Sequence, residues 1–251
     1  MFAPVIDLLF PNRCLGCGGT GWPFCEACDR SVARLRPPGC LRCGRPLGWE
    51  VPACGDCPPA PVSWARAPLL YEGPVRRALF RLKFSGWRSA ARALAPLMAE
   101  SSLGAPGFDA PEVTVTWVPL GRRRKRRRGF DQAEALARCV AGELGWPARR
   151  LLARPRETAP QAMRRGPERR LALAGAFRAT ARPPPAVLLV DDILTSGATA
   201  AECARVLLAA GAERVGLLTA ARSLGGPIPA RCYDTGEPPP GSVVAREELS
   251  R

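Results

Sequence analysis

The stretch Val187-Leu188-Leu189-Val190-Asp191-Asp192-Ile193-Leu194-Thr195-Ser196-Gly197-Ala198-Thr199 decides the fold. Its apolar opening has the length of a buried strand and is too short for a helix. Two acids, two hydroxyls and a glycine follow. From Ala198 to Gly211 the apolar residues Cys203, Val206, Leu207 and Ala210 recur at helical spacing. The polar residues are therefore expected on a strand-to-helix turn, at the sheet edge where α/β proteins bind ligands. Backbone N–H groups and the helix dipole favour an anion there.

Small residues at Ser196, Gly197 and Ala198 let a phosphate approach the backbone, and Thr195, Ser196 and Thr199 offer hydroxyl donors. Asp191 and Asp192 suit the hydroxyls of a ribose, so a 5-phosphoribosyl group fits the pattern. The run is similar to the signature with which type I phosphoribosyltransferases bind 5-phosphoribosyl 1-pyrophosphate (PRPP): an apolar strand, two acids, two residues, then T-[ST]-G-x-T. The alternative is an ordinary turn with solvated acids.

A chain of 251 residues allows one or two domains and a normal core. The 37 Lys and Arg against 22 Asp and Glu leave a net charge of +15, nearly all of it arginine. Abundant Ala, Pro and Gly beside that arginine also read as compositional bias, so charge alone does not name a polyanionic partner. The absence of histidine excludes His-based acid/base chemistry, His triads and His metal sites. The first ten residues lack a basic segment and Asp7 interrupts their apolar run, so no signal peptide is expected. No apolar run reaches a membrane-spanning length. The expectation is a cytoplasmic protein without membrane insertion, in which clustered cysteines suggest metal before disulfide.

In order along the chain, residues 1–12 read as a short helix. Four C-x-x-C pairs come next: Cys14/Cys17, Cys25/Cys28, Cys40/Cys43 and Cys54/Cys57. Two such pairs complete a tetrahedral thiolate zinc site, so two structural Zn2+ are expected. Spacing favours the sequential pairing, with a cross-braced pairing, disulfides or unmetallated thiols as alternatives. Gly16, Gly18, Gly44 and Gly55 are expected to aim N–H groups at sulfur. Pro58 to Pro61 marks a boundary. The expected domains are a zinc module at 1–60, an α/β domain at 61–222 and a mostly disordered tail at 223–251.

Within the second domain, Ser63 to Tyr71 reads as a strand, Val75 to Phe84 and Trp87 to Ser101 as helices, and Val113 to Val118 as a strand. Arg81 and Lys83 read as phosphate contacts or, more simply, as a solvated helix end. After Pro119-Leu120-Gly121 come seven consecutive basic residues, Arg122 to Arg128. Their mutual repulsion makes a polyanion the natural partner: pyrophosphate, PRPP or single-stranded nucleic acid. A solvated, partly disordered loop is the alternative. Trp117 and Phe130 flank the run as stacking or packed aromatics. A helix follows to Leu144, Arg149 to Ala153 is a candidate short strand, and the polar segment from Arg154 resembles a loop that closes over a substrate. Gly175 to Thr180 reads as extended and Arg214 to Ala220 as the last core strand, while Cys139 and Cys203 read as core residues.

The whole arrangement resembles the ComF family, competence-associated phosphoribosyltransferase-like proteins with an N-terminal double zinc ribbon. The likeness spans about residues 5 to 222. It rests on Leu8-Leu9-Phe10-Pro11, Tyr71-Glu72-Gly73, Leu82-Lys83-Phe84, Val118-Pro119 and Arg128-Gly129-Phe130-Asp131-Gln132. Arg154, Arg156, Thr158, Gln161 and Arg169 match a further family segment. The family usually has R-G-F-N-Q, so Asp131 is a departure that removes a side-chain donor.

The resemblance implies a type I phosphoribosyltransferase fold, a central parallel sheet with helices on both faces. It implies PRPP with Mg2+, a phosphate held by Thr195 to Thr199, and ribose contacts from Asp191 or Asp192. Pyrophosphate would meet Pro119, Leu120 and Arg128, and Arg154 and Arg156 would act from the closing loop. It also implies natural transformation, with single-stranded DNA and proteins of the uptake machinery as partners. Three functions stay open: a DNA-uptake factor, an active phosphoribosyltransferase with an unidentified acceptor, and a PRPP-sensing regulator.

Overall fold

The computed structural model describes residues 13–105, 113–155 and 173–224. In chain order the elements are α1 (Glu26–Asp29), β1 (Trp64–Arg66), β2 (Leu69–Leu70), α2 (Gly73–Phe84), α3 (Ser89–Ser102), β3 (Val113–Trp117), α4 (Arg122–Arg128), α5 (Gln132–Leu144), β4 (Leu152–Ala153), β5 (Arg178–Ala179), β6 (Ala186–Leu194), α6 (Ala198–Ala209) and β7 (Arg214–Arg222). The order across the main sheet is β1-β7-β6-β3, with β2 also pairing β7, and every pairing is parallel. Leu188, near the middle of β6, lies opposite Val115 on one side and Gly216 on the other.

Strands buried on both faces carry apolar runs, and successive side chains alternate between faces. In β6, Ala186, Leu188 and Val190 pack in the core that holds α2, α3 and α5. Val187 and Leu189 pack in the second core, with α6. In β7, Leu218 and Ala220 face the first core and Val215 and Leu217 the second. The expected architecture, a parallel sheet with helices on both faces preceded by a zinc ribbon, is what the chain forms. Gly216 has a packing reason: a Cβ there would fall 2.4 Å from a ring carbon of Trp64.

Three expected elements take a different form. The strand expected at Ser63 to Tyr71 is two short strands, β1 and β2, with Pro68 between them. The stretch expected as a strand at Arg149 to Ala153 shares its work: Ala148 bridges Val115, and only Leu152–Ala153 pairs with β5, antiparallel. β6 runs on through both acids to Leu194, because β7 is long enough to pair with Asp191, Ile193 and Leu194. The acids are therefore strand residues, and the turn itself is Thr195 to Gly197.

Residues 1–12, 106–112, 156–172 and 225–251 lie outside the described residues, and so do the expectations placed on them, Arg156 included.

Candidate functional site

Alternation along β6 sends its two acids to different sides. Asp192 is buried and meets α2 and α5: Lys83 Nζ lies 2.7 Å from Asp192 Oδ2, and Gln132 Nε2 donates to the same oxygen at 3.5 Å. Gln132 Oε1 in turn accepts from Arg128 Nη1 at 2.9 Å. Asp191 is half-buried and accepts from the Asp192 N–H at 2.8 Å. Burial, and then the neighbouring Asp192 charge, raise its carboxyl well above the usual range. Both acids line a cavity of about 330 Å³ at the C-terminal ends of the strands. Four cations, Lys83, Arg124, Arg128 and Arg154, line it against these two carboxylates. That excess suits a ligand carrying several negative charges.

The far wall of the cavity is the β6–α6 turn. Gly197 has φ +71°, the left-handed region that favours glycine. No side chain caps the start of α6, so its first N–H groups lack intrahelical partners. Thr195, Gly197, Ala198 and Thr199 line the cavity. Ser196 is exposed and does not line it.

The opposite wall is the Pro119-Leu120 segment, and Asp131 braces it. Oδ1 of Asp131 caps α5 by accepting from the N–H groups of Ala133 (3.1 Å) and Glu134 (3.4 Å), while Oδ2 accepts from the Leu120 N–H at 2.9 Å. All three partners are donors, so a carboxylate suits the place and no side-chain donor is called for.

The basic run is the helix α4 among the described residues, not a loop. Arg and Lys are good helix formers. Gly129, at φ +75°, ends the helix and donates its N–H to Lys125 O at 2.9 Å. Cations in the last turn also complement the helix dipole. Arg124 and Arg128, one turn apart, both reach the cavity.

Lys83 and Arg81 are not a solvated helix end. Lys83 turns into the cavity, and Arg81 instead donates to the carbonyls of Leu15 (2.6 Å) and Gly16 (2.8 Å) in the first cysteine knuckle. Trp117 and Phe130 are 3% and 9% exposed, packed rather than available for stacking. Two exposed aromatics, Phe80 (58%) and Phe84 (50%), form a pair on α2 with ring centroids 4.8 Å apart. The Arg128 guanidinium lies 4.8 Å from the Phe84 centroid. Sequence reasoning does not single out this pair. Its signal is their spacing of four on the side of α2 away from Val75, Ala78, Leu79 and Leu82. Gln132 is also missed as a site residue, and Arg124 is not singled out within the basic run, since their roles depend on partners distant in sequence.

The eight cysteines form two groups, Cys14, Cys17, Cys25 and Cys28, and Cys40, Cys43, Cys54 and Cys57. This is the sequential pairing, not the cross-braced one. Neighbouring sulfurs lie 3.5 to 4.0 Å apart, for instance Cys17–Cys25 at 3.7 Å and Cys43–Cys54 at 3.5 Å. A disulfide needs about 2.05 Å. A zinc tetrahedron with bonds of about 2.3 Å has edges of about 3.8 Å, so both groups fit the metal. N–H groups reach sulfur from Cys17, Gly19, Cys25 and Cys43, and of the glycines expected Gly16 acts on Cys14. Burial resists ionisation of Cys14, but the N–H groups of Cys17, Cys25 and Gly16 outweigh it and lower the thiol to about 6. Cys28 is pushed up to about 12, chiefly by burial. Both groups are structural zinc sites with four thiolates and no open position.

The second zinc group is tied to the sheet. Arg222, 1% exposed at the end of β7, donates to the carbonyls of Cys43 (2.7 Å) and Asp56 (2.8 Å). Cys203 is fully buried and Cys139 packs partly buried against the first core, as expected of structural thiols. Among the described residues no helix is long and apolar enough to cross a membrane.

Comparison with known proteins agrees with these features. The double zinc ribbon domain family matches residues 5–58. The DNA utilization protein YhgH of Salmonella typhi is 35% identical over 211 residues, 81% of this chain and 92% of that protein. Competence protein F of Haemophilus influenzae is 28% identical over 228 residues, 85% of this chain and 98% of that protein. Competence protein ComFC of Bacillus subtilis is 26% identical over 213 residues, 79% of this chain and 84% of that protein. The solved allosteric regulatory enzyme of purine biosynthesis aligns with a TM-score of 0.35 at 23% identity, over 60% of this chain and 30% of that one. With the two zinc ribbons and the parallel sheet in place, the extent of the match to YhgH assigns this chain to the ComF family.

Proposed function

We propose that the chain binds PRPP, with Mg2+, in the cavity between β6, α6 and α4, and that it serves DNA uptake on single-stranded DNA in the cytoplasm. One observation carries the first part: an uncapped helix start, an acid pair and four cations share a single cavity. In this reading the turn Thr195 to Thr199 holds the 5-phosphate through backbone N–H groups and hydroxyls. Asp191 and Asp192 accept from the ribose hydroxyls. The Pro119-Leu120 backbone, Arg124 and Arg128 meet the pyrophosphate where its negative charge is concentrated. Arg154 borders the cavity, and the role expected of Arg156 lies outside the described residues. Two carboxylates lining the cavity suit a hard, water-carrying cation, and Mg2+ when bound would supply charge to the pyrophosphate oxygens. Residues 1–60 serve 61–222 as a zinc-stabilised buttress.

The DNA reading is supported by the names of the relatives and by surface chemistry. Arg128 of α4 lies over the ring of Phe84, next to the exposed Phe80, and Arg122, Arg123, Arg126 and Arg127 of the same helix are exposed, features that suit a phosphate backbone with unstacked bases. Proteins of the uptake machinery are the partners this reading implies.

Calorimetric titration of the zinc-loaded chain with PRPP and Mg2+ tests the first part. One binding event is expected, abolished by Asp191→Ala with Asp192→Ala. An absence of heat at millimolar PRPP removes the proposal. Replacing Arg122 to Arg128 by Ser is expected to weaken salt-sensitive binding of single-stranded DNA, and unchanged binding would clear that run of the role. Pyrophosphate release over a panel of acceptors then reads whether bound PRPP is turned over.

A further inference from the structure

α4 separates two cavities. At 100° per residue, Arg124 and Arg128 lie on one side of the helix and Arg122 and Lys125 on another. The first pair lines the cavity already described. The second pair lines a neighbouring cavity of about 640 Å³, joined by Arg150, Arg154 and Arg178. Among the described residues five cations line it and no carboxylate does. Lys125 has an acidic partner behind it, Glu134 at 3.4 Å. The two cavities share a wall made by Leu120 and Arg154.

The second cluster is assembled from three places in the chain: α4, the segment leading into β4, and β5. The Ala153–Arg178 pairing of β4 with β5 and the Thr180 N–H, which donates to Leu151 O at 2.9 Å, fix its far side. Thr180 Oγ1 is anchored on Arg150 O at 2.8 Å. Arg122, Arg150 and Arg178 are exposed, so the apolar core does not force their convergence. Like charges gathered in one concave site repel, and a bound anion offsets that cost.

Resting on the phosphoribosyl reading of the first cavity, we infer that the second cavity is a separate subsite for the phosphate ester of a second ligand. The two ligands then lie side by side, with Arg154 and Leu120 between them. A neutral base or free amine would leave this cluster unanswered. A mononucleotide and a nucleic acid strand present the same phosphate ester and differ only in whether further nucleotides are attached to it.

The test uses the full zinc-loaded chain and three probes: PRPP with Mg2+, thymidine 5′-monophosphate, and a thymidine decamer without terminal phosphates. The variant is Arg150→Ser with Arg178→Ser, both exposed side chains. Arg76→Ser with Arg92→Ser, exposed on α2 and α3, matches its charge. The Arg150/Arg178 variant is expected to bind one or both phosphate esters at least tenfold more weakly, with PRPP affinity within twofold. The slope of log affinity against log salt for the decamer is expected to fall by about 1. The charge-matched variant should bind as the unaltered chain does. Binding of the monophosphate identifies a mononucleotide ligand, and binding of the decamer alone identifies a strand. Unchanged ester binding in the Arg150/Arg178 variant overturns the inference, as does failure of the unaltered chain to bind either ester. An equal loss of PRPP binding also overturns it, because the second cavity would then belong to the PRPP site. If PRPP fails to bind while the ester is lost on Arg150/Arg178 substitution, the phosphoribosyl reading fails and the second subsite stands.

Discussion

Pro58 closes on Gly197: a Cβ placed on Gly197 would lie 2.7 Å from Pro58 Cβ. Pro58 directly follows Cys57, a ligand of the second zinc group, and Gly197 is the hinge of the β6–α6 turn. The metal module and the β6–α6 turn are thus in contact through one proline and one glycine.

Gly197→Ala meets both a left-handed φ and this contact. The variant is expected to lose about 1–3 kcal/mol of stability. It is also expected to weaken PRPP binding at least tenfold. Thermal melts and calorimetry read the two effects. Adding Pro58→Gly should restore part of each, because the contact is relieved while the strained φ remains.

Loss of the second zinc should reach the same turn. Cys54→Ser is expected to lower the metal content from two zincs per chain toward one. Amide exchange from Thr195 to Thr199 should accelerate, since Pro58 and the carbonyls of Cys43 and Asp56 lose their fixed positions. A zinc content unchanged by the substitution, or an undisturbed turn in the zinc-depleted variant, would contradict the linkage.

Asp131→Asn separates capping from loop bracing. The amide oxygen can still cap α5, but its NH2 then faces the Leu120 N–H. The expected result is a several-fold loss in PRPP affinity. Asp131→Ala removes both roles and is expected to cost about 1–2 kcal/mol, measured by urea unfolding.

Lys83→Met leaves the Asp192 carboxylate buried without its cation. A loss on the order of 3 kcal/mol is expected, as for other broken buried pairs. Lys83→Met with Asp192→Leu should recover most of it. Additive losses in the double variant would show that the two side chains do not act as a pair.

Asp191 titrates above the ordinary carboxylate range because of burial and the Asp192 charge. A carboxyl that holds its proton more tightly when folded adds stability below the unfolded pKa and loses it as pH rises through the raised one. Stability should therefore decline across that window. Asp192→Asn should move the Asp191 value down but not fully back, because burial persists. Carbon-13 NMR of the side-chain carboxyls reads both.

The local signals in the sequence are sound where one element carries them alone. The apolar run Val187 to Val190, the spacing from Cys203 to Ala210 and the four cysteine pairs each name their own structure. The extension of β6 through both acids is not legible, because it depends on β7 lying alongside. Lys83 reads as a helix end because its partner, Asp192, comes more than a hundred residues later. The basic run reads as a loop because repulsion is visible in composition, whereas its helix is closed by Gly129 and a backbone bond to Lys125. The function of Asp131 is hidden for a similar reason, since its third donor is the N–H of Leu120 on a neighbouring segment.

Arg222 sets an order of events for a chain that emerges from its first residue onward. The carbonyls of Cys43 and Asp56 wait for a guanidinium 179 and 166 residues further along. β1 likewise waits for β7, its only strand neighbour among the described residues. The first cysteine group finds its supports, Arg77 and Arg81, within about 67 residues. Both metal knuckles thus find early partners, Arg77 and Arg81 for the first and Arg66 for the second, but two carbonyls of the second stay unanswered until the last strand of the sheet arrives.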